Sequence, residues 1–185
     1  MSLFGKKRKN LNKEEEVQQE ILKEEKEDMI QRIEGLSETT VKEVMIPRID
    51  VDFIAVDTPK EELIQKIISS GHSRFPVYSD SIDNVIGVLY VKDLIGVFAN
   101  NQELDLQKII RKSYFIPESK RIDSLLMEFK RQHLHIAIVI DEYGGISGII
   151  TMEDIIEEIV GDIQDEFDKE QEDIITVGDN IWICD

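Results

Sequence analysis

The chain has 185 residues, 41% of them hydrophobic, enough for one ordinary domain or two small ones sharing a core. Its 22 basic and 39 acidic residues leave a net charge of −17, which repels phosphate backbones and argues against bulk nucleic-acid binding; an anionic ligand needs a local site. Cys184 is the one cysteine and cannot form an internal disulfide, and no apolar run approaches the roughly 18 residues that cross a bilayer. A reducing, cytoplasmic location is expected.

Residues 1–36 form a charged segment dominated by Glu and Lys, its first half expected to be disordered. Val17, Ile21, Met29, Ile30 and Ile33 lie loosely at helical spacing. Lys6, Lys7, Arg8 and Lys9 are not followed by the apolar stretch of a secretory signal. Leu3 and Phe4 beside them could touch the anionic inner face of a membrane, against the default of a solvated terminus.

Beyond this segment the sequence repeats itself. Placing His72 on His133 gives an offset of 61 that runs without a gap from Ile54/Phe115 to Phe98/Ile159. Identities fall at His72/His133, Asp80/Asp141, Gly87/Gly148 and Asp93/Asp154, and apolar positions match throughout. The first copy, residues 37–100, opens on the strand FIAV. Thr58, Pro59, Lys60 and Glu61 then combine a helix cap, a proline at the first helical position and a capping-box Glu. A helix with Leu63, Ile64, Ile67 and Ile68 on one face follows, and FPVY and VIGVLYV flank the turn SDSIDN as a hairpin would. The second copy, residues 101–162, repeats the plan with Leu125, Leu126 and Phe129, then HIAIVI, the turn DEYGG and ISGIIT.

IAIVI and GIIT are apolar on both faces, so they belong inside a sheet covered by helices or by the other copy. The expected fold is therefore α/β (α+β), two pseudo-symmetric β-α-β-β-α repeats packed through their sheets, neither able to bury its sheet alone. Residues 163–185 read as an acidic linker followed by short strands.

The strings VMIPR at 44–48, HSRFPVY at 72–78, IPESKRID at 116–123, and AIVIDEYGG followed by SGIITMEDIIEEIVGDIQDEF cover about residues 36–167. Together they resemble the tandem CBS domain pair of the CorC/haemolysin-C family. In that family ITVGDNIWICD looks like the opening strands of a transporter-associated domain, of which the chain holds only this beginning.

The resemblance implies a cleft between the repeats that binds an adenine nucleotide, ATP or AMP. Thr151 and Asp154 would hydrogen-bond the ribose hydroxyls. A Thr-x-x-acid pattern before IIEEI is also a capping box, so a purely structural role competes. Tyr114, Phe115, Ile116 and Pro117 would line the adenine pocket, with Phe115 and Ile116 otherwise plain core strand. Ser73 and Arg74, with Pro76 beside them, would bring a hydroxyl and a guanidinium fork to the phosphates, unless Arg74 pairs with a nearby acid. Around the first repeat, Met45, Pro47, Arg48, Tyr90 and Asp93 could support a weaker second site. Tyr90 stands where the second copy has Thr151, so one competent site per chain is expected.

Mg²⁺ would enter with the nucleotide, bridged to its phosphates. No separate metal site is expected: Asp162, Asp165, Glu166, Asp168, Glu170, Glu172 and Asp173 read as a solvated acidic run, and His72, His133 and His135 lack a ligand constellation. A glycine-rich phosphate loop, a seated nucleophile and an isolated carboxylate pair are all missing, so the chain does not read as an enzyme. The resemblance further implies a homodimer through the helices IIEEIV and LIGVF, and a membrane transporter of magnesium or cobalt as partner. Two alternatives stand beside it, a ligand-free dimerisation scaffold and a haemolysin-like effector.

Overall fold

A computed structural model describes residues 19, 20, 22–100, 102–161, 174–178 and 181–184. The basic cluster with Leu3 and Phe4, Val17, Ile21 and the acidic run 162–173 lie outside the described residues. Helix α1 covers residues 22–35, followed by α2 (Val41–Val44), β1 (Ile46–Pro47) and a 3-10 turn (Arg48–Asp50). The first repeat then runs β2 (Ile54–Ala55), α3 (Lys60–Ser70), β3 (Arg74–Ser79), β4 (Ser81–Tyr90) and α4 (Val91–Ala99). After the short α5 (Leu106–Ile109), the second runs β5 (Phe115–Pro117), α6 (Ile122–Gln132), β6 (Ile136–Ile140), β7 (Ile146–Thr151) and α7 (Met152–Val160). Strands β8 (Ile174–Gly178) and β9 (Ile181–Cys184) pair as an antiparallel hairpin.

Each repeat makes its own small sheet, β2-β3-β4 in the first and β7-β6-β5 in the second. Alternation along the strands decides what covers each face. In β6, Ala137 and Val139 pack with Phe129, Leu125 and Ile155 from α6 and α7, whereas Ile136 and Ile138 pack with Val85, Val88 and Tyr90 of the first repeat. The doubly apolar strand is thus helix-covered on one side and repeat-covered on the other. Ile138 and Ile150 are fully buried on opposite faces, each worth about 1.5–3 kcal/mol relative to exposure.

The repeats are also cross-connected. β1, near the start of the first repeat and ahead of its own sheet, adds to the second repeat's sheet as its outer strand, antiparallel to β7. Reciprocally, Arg111, near the start of the second repeat and ahead of its own sheet, exchanges two backbone hydrogen bonds with Val88 of β4, at 2.8 and 2.9 Å. Leu36 and Val41 sit in the second repeat's core, so residues 36–47 pack with the repeat they are farther from in sequence.

The repeated glycine marks these crossings. A Cβ at Gly148 would overlap the Ile46 carbonyl, and one at Gly87 would lie 2.9 Å from the Arg111 carbonyl. Glycine is required at both because another backbone passes over it.

Three expectations need correction. Ile54 pairs with Val77 and Ile116 with Val139, while Val77 pairs with Gly87 and Val139 with Gly148. The repeats therefore correspond at an offset of 62 before the hairpin and 61 after it, because the bulged stretch from Val77 to Gly87 holds one residue more than that from Val139 to Gly148. His133 matches Gly71, both being left-handed residues that end a helix, and His72 matches Leu134. Thr58 does not cap α3: Pro59 occupies the cap position without a side-chain cap bond. The turn SDSIDN is tighter than expected, since β4 begins at Ser81 after left-handed Asp80, with a bulge opposite Tyr78 and Ser79.

Gly148→Ala should cost about 1–3 kcal/mol by forcing β1 off β7. Gly96→Ala, within α4 and with nothing near its Cβ position, should stabilise by about 0.5–1 kcal/mol. Thermal unfolding of the two variants checks the pair; a lower midpoint for both, or for neither, contradicts the crossing argument.

Candidate functional site

A cleft of about 370 Å³ opens between the repeats where β1 crosses to β7. Its apolar walls are Ile46 and Val51 from the leading segment, Pro76 from the first repeat, and Ile136 and Ile149 from the second. Its polar lining is Ser73 and Arg74 on one side, Thr151, Glu153 and Asp154 on the other, and Asp50, Asp52 and His72 near them. A larger groove of about 660 Å³ runs along α5 past Val56, Thr58 and Val97, and holds none of the residues expected to bind a nucleotide.

Thr151 and Asp154 form the capping box that starts α7. The Thr151 Oγ1 accepts from the Asp154 backbone N–H at 3.2 Å, and Asp154 Oδ2 accepts from the Thr151 N–H at 2.6 Å. These bonds leave the Thr151 hydroxyl hydrogen and Asp154 Oδ1 for another partner. The structural role anticipated for the pair is thus real, and it holds both side chains rigidly at the cleft wall.

Arg74, at the start of β3, reaches across the cleft mouth to Glu153, Nη1 to Oε1 3.1 Å, joining the two repeats. Its Nε is buried without a hydrogen-bond partner. Both readings of Arg74 therefore hold at once: it lines the cleft and it pairs with an acid. Asp52 lies 3.5 Å from Lys66 and 3.7 Å from His72.

Of the expected residues, the structure brings Ser73, Arg74, Pro76, Thr151 and Asp154 to one cleft. It does not bring Tyr114, Phe115, Ile116 and Pro117 there. These lead into and form β5, the edge of the second sheet farthest from β1. Ile116 is buried among Leu125 and Phe129, Phe115 is exposed, and the Tyr114 hydroxyl donates to Glu128. The apolar cleft walls come instead from Ile46, Val51, Ile136 and Ile149. The recurrence of Gly87 and Gly148 signalled a backbone crossing; nothing in the sequence told which strand crosses.

The second set also separates. Met45 packs on the second repeat's core, Pro47 lies on β1 against Gly148, and the Arg48 fork grips Asp83 at 2.6 and 3.0 Å. Asp83 accepts from the Ile146 N–H as well, at 3.2 Å, and these donors hold its carboxyl below the ordinary range. Tyr90 and Asp93 stay together at the first repeat, where Arg111 covers them. Among the described residues no cluster of three metal-ligating side chains occurs, and none of His72, His133 and His135 joins one.

Two sheets facing each other, each repeat crossed by a segment that leads into the other, with an interrepeat cleft capped by a Thr-x-x-Asp helix start, define a tandem CBS pair. Residues 41–100 and 106–161 each match the CBS domain family. The chain belongs to the CorC/haemolysin C family of CBS-domain proteins. It is 43% identical over 155 residues to the magnesium and cobalt efflux protein CorC of Pasteurella multocida, covering 83% of this chain and 52% of that protein. It is 42% identical over 164 residues to Hemolysin C of Brachyspira hyodysenteriae, covering 89% and 60%. The chain thus spans little more than half the length of these relatives.

Among solved structures, the CBS domain of the bacterial CNNM/CorC family Mg²⁺ transporter in complex with ATP superposes with a TM-score of 0.69 at 42% identity, over 75% of this chain and 99% of that one. A CBS-domain pair with bound AMP from Klebsiella pneumoniae gives 0.60 at 31% identity, over 66% and 99%.

Arg111 holds the Asp93 carboxyl below its ordinary range by hydrogen bonding and charge. A lowered carboxyl stabilises the fold above the ordinary aspartate value and loses that contribution as pH falls through the lowered one. Stability measured from neutral pH down through roughly pH 4 and below should therefore fall more steeply in wild type than in Asp93→Asn. Parallel curves would contradict the pairing.

Proposed function

We propose that the chain is a regulatory adenine-nucleotide-binding module of a CorC-like protein associated with magnesium and cobalt efflux. The observation that carries this reading is the cleft itself: an apolar slot, a rigid Thr151–Asp154 pair with one donor and one acceptor to spare, and Arg74 opposite. The slot between Ile46, Val51, Ile136 and Ile149 suits a flat base, and Thr151 and Asp154 suit a ribose diol. Arg74 and Ser73 suit phosphate oxygens. The ATP and AMP complexes of similar CBS structures support the ligand class.

Asp50, Asp52, Glu153 and Asp154 place four carboxylates around that slot. A triphosphate entering it alone meets like charge, so Mg²⁺ on the phosphates is part of the reading. The polar groups hold and orient rather than react: among the described residues no cleft hydroxyl is hydrogen-bonded to a histidine. Nucleotide binding would bias the angle between repeats or between protomers, with a membrane transporter as the partner that responds. No helix among the described residues is long and apolar enough to cross a membrane.

Calorimetric titration with ATP, ADP and AMP, with and without Mg²⁺, tests the reading. Saturable binding should be lost in Thr151→Ala and Asp154→Ala while both stay folded, Thr151→Ala costing about 0.5–2 kcal/mol through its cap. A folded wild type that takes no nucleotide would leave the ligand-free scaffold.

Dimerisation through α4 and α7 belongs to the same proposal. Ile95 on α4 is 67% exposed, and Ile156 and Val160 on α7 are 39% and 40% exposed, a face that association would cover. Sedimentation equilibrium should give a dimer for wild type and a monomer for Ile95→Glu with Ile156→Glu. Equal masses would remove this face from the account.

A further inference from the structure

The pseudo-symmetry that relates the repeats maps the open cleft onto a second position. Ile149 corresponds to Val88, Thr151 to Tyr90 and Asp154 to Asp93, and the segment crossing at Ile46 corresponds to the segment crossing at Arg111. Where the open cleft has the apolar Ile46, the second position therefore has a guanidinium.

That guanidinium is held by a carboxylate and an aromatic ring, with its side chain still half exposed. Its Nε and Nη2 each lie 2.8 Å from one oxygen of Asp93, and its carbon sits 4.4 Å from the centroid of the Tyr90 ring. Tyr90 is 8% exposed. The Arg111 backbone is pinned in both directions to Val88, so little freedom is lost in holding the side chain there.

We propose that Arg111 is a built-in ligand that closes a second adenine-nucleotide site. This rests on reading the open cleft as a nucleotide site. The flat guanidinium takes the position of a stacked base over Tyr90, and its fork satisfies the carboxylate whose counterpart, Asp154, keeps a free oxygen for a ribose hydroxyl. Being tethered, it competes at a high effective concentration against any free nucleotide. The first-repeat position is thus silent because it is occupied from within, and the chain takes one nucleotide. Lys92, 5.7 Å from the same ring, stays behind to meet phosphates when Arg111 is removed.

The test compares wild type, Arg111→Ala, and Arg111→Ala with Tyr90→Thr, which restores the Thr-x-x-Asp pattern of the second repeat. In calorimetry with AMP and with ATP plus Mg²⁺, wild type should take one nucleotide per chain and the folded Arg111→Ala protein two, the second lost on adding Asp93→Ala. One nucleotide in both would overturn the proposal and leave the open cleft's reading intact. No nucleotide in wild type but one in Arg111→Ala, sensitive to Asp93→Ala, would overturn that reading and sustain this one. The unliganded crystal structure of Arg111→Ala decides without any nucleotide: an uncovered Tyr90 ring beside a cavity comparable to the 370 Å³ cleft is expected, and a ring covered by another side chain would overturn the proposal.

Discussion

Ile46 and Pro47 can lie against β7 only because residue 148 has no side chain. The same holds, one repeat earlier, for Arg111 against Gly87. Each repeat leaves a sheet edge whose backbone groups would be costly to bury unpaired, and each edge is met by the segment leading into the other repeat. This reciprocal crossing ties the two sheets face to face, builds the shared core of Val85, Val88, Ile136, Ile138 and Ile149, and delivers Ile46 and Val51 to the cleft.

Within that symmetric frame the two repeats share few identical residues. In a chain of net charge −17, three arginines near the interface each meet a carboxylate: Arg48 with Asp83, Arg74 with Glu153, Arg111 with Asp93. Exposed pairs of this kind contribute little to stability individually. Their effect is on geometry, Arg48 tying the first hairpin to the start of β7 and Arg74 bridging the cleft mouth. The exchange of Thr for Tyr and of Ile for Arg at matched positions leaves one position open and the other filled.

The fold was legible because burial on both faces of IAIVI and GIIT forced two packed sheets, and the repeat supplied the second one. The polar lining of the candidate cleft was legible too, since Thr151, Ser73 and Arg74 sit at strand ends that the repeat plan brings to one edge, with Asp154 in the first turn of the helix that follows Thr151. The apolar half was not. Placing Tyr114 to Pro117 at the cleft assumed that a repeat's own first strand lines its own site, whereas the crossing puts β1 there and β5 at the far edge. The one-residue slip before the hairpin was equally hidden, because strands apolar on both faces tolerate it and two chance histidines aligned at the wrong offset.

The central claim is that the space between the crossed segments is where a nucleotide sits. Backbone NMR of the isotope-labelled protein, titrated with ATP and Mg²⁺, addresses it residue by residue. The account predicts saturating shifts that cluster at Ile46, Val51, Ser73, Arg74, Ile136, Thr151 and Asp154. Shifts centred on Tyr114 to Pro117 or on the groove beside α5, or none at all in a folded protein, would contradict it.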